Sequence, residues 1–479
     1  MERPRYWVLL VIAAALLLTA HPARSAYQHM GEQDSGIFLS VYPGAAGTKL
    51  DSCTLCHKGA SSVGSCQYCH QVYGYDASGD ILETLNPYGF DYLTHGRNAA
   101  ALTAIASHDP DEDFFTSGAE IAALRYPGDP TDDPTKVPAP YRVYSKLQLE
   151  ALPQHTQFLL MNASKSTDNY AEYTGVTVEN VLADAGMLPS ATGIKVFAPD
   201  GFSQYNSLAY DPTPGIYPVY GAYSPAVFHY DEAADVALNP SSGWCDYGAP
   251  SAAGRNDGDP ITVPDGLRLL LAIKRDGAYL TPGVLNAQNK LDGEGPFRVV
   301  PPQKIPGPPD QRSTSSNPSL PWPYDRNADH NAGFSTRTAT IIKVEPLPKG
   351  TTDINTYEAG WPFVDQEKFM VYGAIDPLPT IREKIGALSA FVLSIDPSHV
   401  SPKNVRETLA NKLEAVSLQL GKGSAQGEIS KIEHDLLPKT DGCAAGGAPD
   451  KNDWIRDCQD QSTVYWGLKE VLVLLAING

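Results

Sequence analysis

Two short cysteine-histidine segments near the N-terminus constrain this chain more than any other feature. They are Cys53-Thr-Leu-Cys-His57 and Cys66-Gln-Tyr-Cys-His70, with eight residues between them. Two thiols at this spacing can form thioether bonds to the two vinyl groups of one haem, and the adjacent histidine then reaches the iron as its proximal ligand. The sequence therefore predicts two covalently attached haems, held by Cys53, Cys56, His57, Cys66, Cys69 and His70.

Two other kinds of site use paired cysteines. A thioredoxin-type pair needs no histidine and lies in a strand-helix unit, whereas this segment is rich in glycine and serine. A structural zinc site of four thiolates and two histidines is the second alternative. The histidine directly after each second cysteine favours haem over both.

The first 26 residues indicate the compartment. Arg3 and Arg5 precede an apolar run over 6–20, and small residues follow in 21–26, which is the layout of a secretory signal peptide. The alternative is an uncleaved anchor, although the run is short for a membrane span. Either arrangement predicts an exported protein, periplasmic or extracellular at the cell surface, where haem attachment and disulfides are both feasible.

Composition narrows the choice of partners. The formal net charge of −19 argues against nucleic acid, because phosphates require a basic surface. An acidic surface instead suits redox partner proteins of a bacterial envelope that present cationic docking patches, or bound divalent ions. With 479 residues, the chain exceeds what one hydrophobic core usually serves.

The predicted fold class is multidomain α+β. We expect a loop-rich dihaem cytochrome c segment over 27–130, a mixed α+β domain over 131–377 and a helix bundle over 378–479, with a boundary in the proline- and aspartate-rich stretch that begins at Asp129. The middle domain is predicted to contain helices over 147–162 and 176–185 and strands over 194–198, 296–300, 338–344 and 368–372. Four C-terminal helices are predicted from apolar spacing, the second starting at Ser401-Pro402 and the fourth near Asp453.

Sixth ligands to the two irons are sought among the other histidines. His29 and His95 flank the haem motifs closely enough to fold back onto them, and His155 and His330 in the middle domain are reserves. The alternative roles are an exposed polar residue for His29 and a favourable interaction with a helix C-terminus for His95. We predict that at least one of His29 and His95 is a distal ligand.

An acidic stretch follows the haem segment with the spacing of an EF-hand loop. Asp109, Asp111 and Asp113 occupy positions 1, 3 and 5, the Phe115 carbonyl position 7 and Glu120 position 12. Position 6, where glycine usually permits a positive φ, is Phe114. The spacing predicts calcium binding, and the alternative is an acidic solvated loop.

Three cysteines remain outside the haem motifs. Cys443 and Cys458 lie 15 residues apart in the predicted bundle, and the exported setting favours a disulfide between them. Closing a loop of this length stabilises the fold by about 3 kcal/mol in the chain-entropy model. Cys245 is then the remaining thiol.

The motif Gly293-Glu-Gly-Pro296 lies downstream of the two haem motifs in a chain with an export signal. This combination resembles the bacterial GEGP motif-containing dihaem proteins, from about residue 29 to the C-terminus. Within it, the segments 173–176, 182–186 and 293–300 are similar to the sulfite-oxidase molybdopterin fold. A cysteine holds molybdenum in that class, but Cys245 lies in a context that departs from the enzyme motif. The resemblance implies a haem protein whose middle domain has this fold without molybdopterin.

These observations together predict an exported dihaem c-type cytochrome that transfers single electrons. No Gly-rich phosphate loop and no nucleophile elbow is found, so electron transfer is favoured over substrate conversion. An open sixth position would instead let peroxide or nitrite bind. Two other classes stay open: a haem-linked molybdopterin oxidoreductase, and a cell-surface scaffold with haem conduits.

Overall fold

The computed structural model has a mixed α+β architecture with several separate hydrophobic cores. It describes residues 33–58, 72–73, 78–162, 168–211, 216–220, 228–230, 233, 236–237, 245–246, 259–261, 266–287, 291–302, 331–354, 360–422 and 425–478. The predicted signal peptide, His29, the second haem motif and His330 lie outside these ranges.

The α-helices are numbered in chain order. They are α1 (Asp34–Val41), α2 (Pro87–Thr94), α3 (Ala99–Ile105), α4 (Ser117–Ala122), α5 (Lys146–Glu150), α6 (Val178–Asp184), α7 (Trp361–Asp365), α8 (Leu378–Ser394), α9 (Val405–Gln419), α10 (Gln426–Lys431), α11 (Gly442–Gly446) and α12 (Cys458–Leu475).

The strands in the described ranges lie between the predicted haem segment and the C-terminal helices. They are β1 (Val137–Pro138), β2 (Tyr141–Ser145), β3 (Gln154–Met161), β4 (Asp168–Thr177), β5 (Gly193–Phe197), β6 (Ser203–Ser207), β7 (Phe228–Tyr230), β8 (Cys245–Asp246), β9 (Asp259–Ile261), β10 (Leu270–Arg275), β11 (Ala278–Tyr279), β12 (Val284–Leu285), β13 (Leu291–Asp292), β14 (Arg298–Val300), β15 (Ile341–Glu345), β16 (Thr351–Thr352) and β17 (Lys368–Gly373).

The N-terminal region, from α1 to α4, has its own small core. Tyr88, Leu102 and Ile105 are buried there together with Leu55 of the first haem motif. Asn86 begins α2 by accepting the Gly89 N–H, and Asn98 begins α3 in the same way through Ala101. Side-chain N-caps therefore fix two of the helices that surround the haem motif.

Two sheets form the middle region. One has the strand order β2-β17-β15-β5-β6, in which only β15 and β17 are parallel. The other follows the order β11-β10-β4-β3, with β14 also pairing with β10 and β8 with β4. One hydrophobic cluster contains Ile342 and Val371 of the first sheet and Leu271 of the second, so the two sheets share a core.

The helix predicted over 147–162 is wrong for most of its length. Only α5 is helical, and after Pro153 the chain enters β3, which pairs antiparallel with β4 along its full length. A proline removes a helix hydrogen bond, and sheet pairing then satisfies the backbone. The predicted helix over 176–185 is confirmed as α6, and Gly186 ends it at φ +73°. The strands predicted over 194–198, 296–300, 338–344 and 368–372 correspond to β5, β14, β15 and β17.

The C-terminal helices pack around a second large core, with Ile385 of α8, Leu413 of α9 and Leu468 of α12 fully or almost fully buried. Two predicted helix starts are wrong. Ser401 donates its N–H to Trp454 and is not a cap, so α9 begins later, at Val405. The last helix begins at Cys458, because the Asp457 side chain accepts the first free N–H groups. Cys443 and Cys458 form a disulfide with Cα atoms 5.5 Å apart.

A buried polar cluster joins the N-terminal region to the middle region. Lys49 is fully buried, and its Nζ lies 2.6 Å from Asp132 Oδ2 and 2.7 Å from the Thr352 hydroxyl of β16. Thr352 also donates to Asp132, and Arg125 Nε lies 3.7 Å from the same carboxylate. We call Lys49, Arg125, Asp132 and Thr352 the junction network.

Candidate functional site

The first haem motif forms one tight turn. Cys53–Leu55 is a single 3-10 turn, and the N–H groups of Cys56 and His57 both donate to the Cys53 carbonyl, at 3.2 and 3.0 Å. Cys53 is exposed and Cys56 half-buried. The turn thus brings the backbone of both thiol-bearing residues and the histidine within one compact unit, as attachment of one haem requires.

Asn86 and Gly89 hold this turn against α2. The Asn86 side-chain amide donates to the carbonyls of Thr54 and Leu55, and its backbone N–H donates to the Cys56 carbonyl at 2.9 Å. A β-carbon at Gly89 would lie 2.1 Å from that same Cys56 oxygen, so only glycine permits this approach. This contact was not predicted from the sequence.

His57 has one ring nitrogen fixed by the protein. Its Nδ1 lies 2.9 Å from the hydroxyl of buried Thr84, and that hydroxyl donates its own proton to the Ile81 carbonyl at 2.7 Å. With the Thr84 hydroxyl donating to Ile81, its oxygen accepts from the Nδ1–H of His57, and in the neutral ring the lone pair is then on Nε2. Burial also lowers the pKa of His57, which favours the neutral form that binds a metal.

The structure describes two of the four histidines predicted as distal ligands, His95 and His155. His155 is buried in β3, whereas His29 and His330 lie outside the described ranges. His95 caps the C-terminus of α2, where Nδ1 lies 3.0 Å from an Asp91 carboxylate oxygen. His108, which was not among the predicted ligands, approaches the same carboxylate at 2.9 Å. Because Nδ1 of His95 is in contact with the Asp91 carboxylate, Nε2 is the atom that would bind iron. Distal ligation by His95 stays a prediction.

The acidic loop at 109–120 folds around its own first residue. Asp109 accepts the N–H groups of Asp113 at 3.2 Å and Phe114 at 2.9 Å. Phe114, the residue that conflicted with the EF-hand pattern, adopts φ +80°, and its ring is 95% exposed. The backbone therefore takes the conformation that glycine usually supplies at position 6, with the phenyl ring directed into solvent.

Several oxygens of this loop are buried without a hydrogen-bond partner in the described part of the chain. They are both carboxylate oxygens of Asp111, Oδ2 of Asp113, the Ser117 hydroxyl and both carboxylate oxygens of Glu120. Burial and the neighbouring charges of Asp113 and Asp109 raise the pKa of Asp111 to about 7. Burial and the charges of Asp111 and Asp113 raise the pKa of Glu120 to about 9. When ionised, these neighbouring carboxylates repel one another.

In the Gly293-Glu-Gly-Pro296 motif the carboxylate is paired with arginines, in contrast to the acidic loop. Gly293 turns the chain at φ +88°, and the Glu294 carboxylate binds Arg298 and lies 3.4 Å from Arg275. Arg298 also donates to the hydroxyl of buried Tyr173 at 3.1 Å. The motif thus closes a paired cluster beside β10 and β14. Cys245 of β8 is buried in a hydrophobic cluster on the second sheet.

Among the residues described, no helix combines the length and the apolar character needed to cross a membrane. Comparisons with models of protein families, with curated proteins and with solved structures found no match to this chain.

Proposed function

We propose that this protein is an exported dihaem c-type cytochrome that transfers electrons through two covalently attached haems. One observation carries the proposal for the first haem: His57 lies directly after the second thiol of a Cys-x-x-Cys pair and is held as the Nδ1–H tautomer by Thr84. A ligand histidine usually donates its other ring N–H to a fixed acceptor, which orients the imidazole and tunes the metal. The second haem rests on the identical sequence spacing of Cys66, Cys69 and His70.

Each haem iron supplies a one-electron couple, and the chain contributes its position and surroundings. The tether of eight residues between the motifs spans at most about 29 Å when fully extended, so the two haems attach near each other. Half-burial of His57 and the small core around Leu55 and Tyr88 would limit solvent around the proximal ligand of an attached haem. Burial and hydrogen bonding at the axial ligand are the means by which a protein sets a haem potential.

The direct test is covalent haem content. The full chain would be produced with a cytochrome c assembly system, and intact mass spectrometry together with acid-acetone extraction would count the attached haems. We expect two haems in the wild type, one in Cys53→Ala/Cys56→Ala and one in Cys66→Ala/Cys69→Ala. Cys245→Ala is the matched control, since it removes a buried thiol outside both motifs and should retain two.

Electron transfer is tested on the same preparation by spectroelectrochemistry. Two one-electron transitions with low-spin spectra support the proposal. Bound zinc in place of haem would contradict it, and stoichiometric molybdenum would instead favour a haem-linked molybdopterin oxidoreductase. A high-spin haem in the wild type would indicate an open sixth position and reopen a catalytic function.

A further inference from the structure

The loop at 109–120 presents oxygen atoms at every position that an EF-hand uses. Positions 1, 3, 5 and 12 are Asp109, Asp111, Asp113 and Glu120, as the sequence predicts. Position 9 is Ser117, which was not among the predicted ligands, and its hydroxyl is buried with no partner in the described ranges. Carboxylate oxygen atoms of Asp109, Asp111 and Asp113 lie within 4.8 Å of one another. Three carboxylate oxygens this close together could all bind one ion.

Glu120 is the second, independent observation. The residue is 0% exposed, and neither of its carboxylate oxygens has a hydrogen-bond partner among the residues described. Burying an ionised carboxylate without a partner costs several kcal/mol in real proteins. Elsewhere in the described fold the buried acids Asp132 and Asp453 accept protein hydrogen bonds. Glu120 therefore has two buried acceptor atoms that the described residues leave unpaired, as expected of a metal ligand.

The chemistry of the donors selects the ion. The available ligands are carboxylates, a hydroxyl and the Phe115 carbonyl, all of them oxygens, and no ring nitrogen or thiolate belongs to the loop. Hard oxygen ligands in a flexible loop, with a carboxylate at position 12 able to bind through both oxygens, suit calcium. Magnesium is smaller and demands near-ideal octahedral geometry, which such a loop supplies poorly.

The local backbone is already arranged for an ion. Asp109 accepts the N–H groups of Asp113 and Phe114, and Asp113 Oδ1 accepts the N–H of Phe115 at 2.8 Å. These bonds turn the chain back on itself, so that positions 1, 3 and 5 converge. Phe114 supplies the positive φ that the turn needs. Because its ring points into solvent, its bulk does not obstruct the ligands.

We propose that residues 109–120 bind one calcium ion through Asp109, Asp111, Asp113, the Phe115 carbonyl, Ser117 and Glu120. Glu120 lies in α4, and its carbonyl accepts the N–H of Arg125 at 2.8 Å. Arg125 belongs to the junction network, so the ion would brace the chain immediately before the contact between the haem segment and the middle region. The site is separate from haem attachment, and either can hold if the other fails.

The test uses the full-length dihaem protein with calcium alone as the probe. Calorimetric titration of chelator-treated protein should give one calcium per chain, and thermal unfolding followed by circular dichroism should shift upward with calcium. Magnesium at the same concentration should give no comparable shift. An equal response to both ions would overturn the assignment to calcium.

Variants separate a ligand from a structural residue. Glu120→Gln should lose the calcium-induced shift. In chelator it should melt at or above the wild type, because the neutral amide avoids the cost of burying a carboxyl group, whether as a charge or by taking up a proton on folding. Asp111→Asn should behave in the same direction, and Ser117→Ala should weaken binding without abolishing it. The matched control is Glu112→Gln, which makes the same chemical change at an exposed loop position and should keep the full response.

Three further results would overturn the proposal. The first is a wild type whose melting temperature is indifferent to calcium. The second is a Glu120→Gln or Asp111→Asn protein that still responds fully. The third is equal loss of the response in Glu112→Gln and Glu120→Gln, which would show diffuse charge screening by the acidic surface. Because haem content is measured independently by mass, none of these results depends on the proposed electron transfer.

Discussion

Two regions of this molecule bury carboxylates, and they treat them in opposite ways. In the junction network, Asp132 receives hydrogen bonds from Lys49, Thr352 and the Tyr126 N–H. In the acidic loop, buried oxygens of Asp111 and Glu120 receive none from the described chain. A buried charge is tolerated only when something compensates it. The first region is compensated by the protein itself. In the second, the carboxyl groups take up protons or, as we propose, bind a cation.

The first haem motif lies between these two extremes. His57 is compensated on Nδ1 by Thr84, whereas Nε2 keeps its lone pair. An imidazole that is held by a hydrogen bond at one ring nitrogen and carries a lone pair on the other has the arrangement of a metal ligand. The three regions thus form a series. The polar atoms of Asp132 are hydrogen-bonded by the protein, His57 is hydrogen-bonded at one of its two ring nitrogens, and Asp111 and Glu120 receive no hydrogen bond from the described chain. The number of metal-binding atoms left without a hydrogen bond distinguishes structural polar groups from binding ones.

The largest expected effect comes from breaking the paired region. Lys49→Met keeps the length of the side chain but leaves Asp132 without its closest cation, and removal of one partner of a buried pair costs about 3–5 kcal/mol. Urea unfolding at equilibrium would measure the loss.

The matched control for this change is Lys136→Met. Lys136 forms a more exposed pair with Asp133 at 2.9 Å, three residues away in the same segment. Exposed pairs contribute about 0–1 kcal/mol, so the control should unfold almost as the wild type does. An effect at Lys49 as small as that expected at Lys136 would show that pairing at the junction does not stabilise the fold, and would break the comparison.

A smaller effect is expected at the tip of the acidic loop. A non-glycine residue at positive φ costs about 1–3 kcal/mol of backbone strain, which a glycine substitution would remove. The greater freedom of glycine in the unfolded chain offsets part of that stabilisation. Phe114→Gly should therefore stabilise the calcium-loaded protein by about 1 kcal/mol, measured by thermal unfolding. Phe114→Ala loses the same exposed ring but keeps the backbone cost, so it should not stabilise. A stabilised alanine variant would attribute the effect to the ring.

How far the sequence predicts this molecule depends on the range of the interaction concerned. The spacing of Cys53, Cys56 and His57 and of the loop acids is local, so the candidate sites could be located from the sequence alone. The helix predicted over 147–162 failed because β3 is defined by pairing with β4, a partner that lies after it in the chain. Periodicity over a short apolar run does not distinguish a helix from a buried strand.

The side chains that complete each site were harder to foresee. Thr84 lies 27 residues from His57, and the interaction depends on how the chain returns after the motif. Lys49 and Thr352 are 303 residues apart and meet only because β1 pairs with β16. Ser117 could have been found, since position 9 follows from the same spacing that selected Glu120. A serine there is weak evidence alone, and its burial is what makes it informative.

The hydrogen bond between His57 and Thr84 is expected to affect the potential of the first haem. Thr84→Val removes the acceptor of the His57 Nδ1–H bond while conserving shape, so the imidazole becomes less basic and the ferric state less stabilised. A neutral hydrogen bond contributes on the order of 1 kcal/mol, which corresponds to about 40 mV for a one-electron couple. Spectroelectrochemistry should show one haem shifted upward by that amount and the other unchanged. The control is Thr103→Val in α3, an exposed threonine whose hydroxyl donates to the Ala99 carbonyl within the helix. No shift in Thr84→Val would remove the argument for its role at the haem.

The smallest expected effect is an acid dependence at Asp353, a carboxylate whose pKa responds to the charge of Lys49 in the junction network. Burial alone would raise the pKa of Asp353, but the charges and hydrogen bonds of Lys343, Lys49 and Tyr372 lower it below its ordinary value of 3.8. A carboxyl group with a depressed pKa contributes stability above its unfolded pKa, and that contribution is lost as the pH falls through the folded value. Stability of the wild type should therefore fall below about pH 4 more steeply than that of Asp353→Asn, with unfolding in urea measured at each pH. Asp365→Asn, which neutralises an exposed carboxylate of α7, should retain the wild-type slope. Identical slopes for the wild type and Asp353→Asn would mean that the lysines beside Asp353 do not compensate its charge.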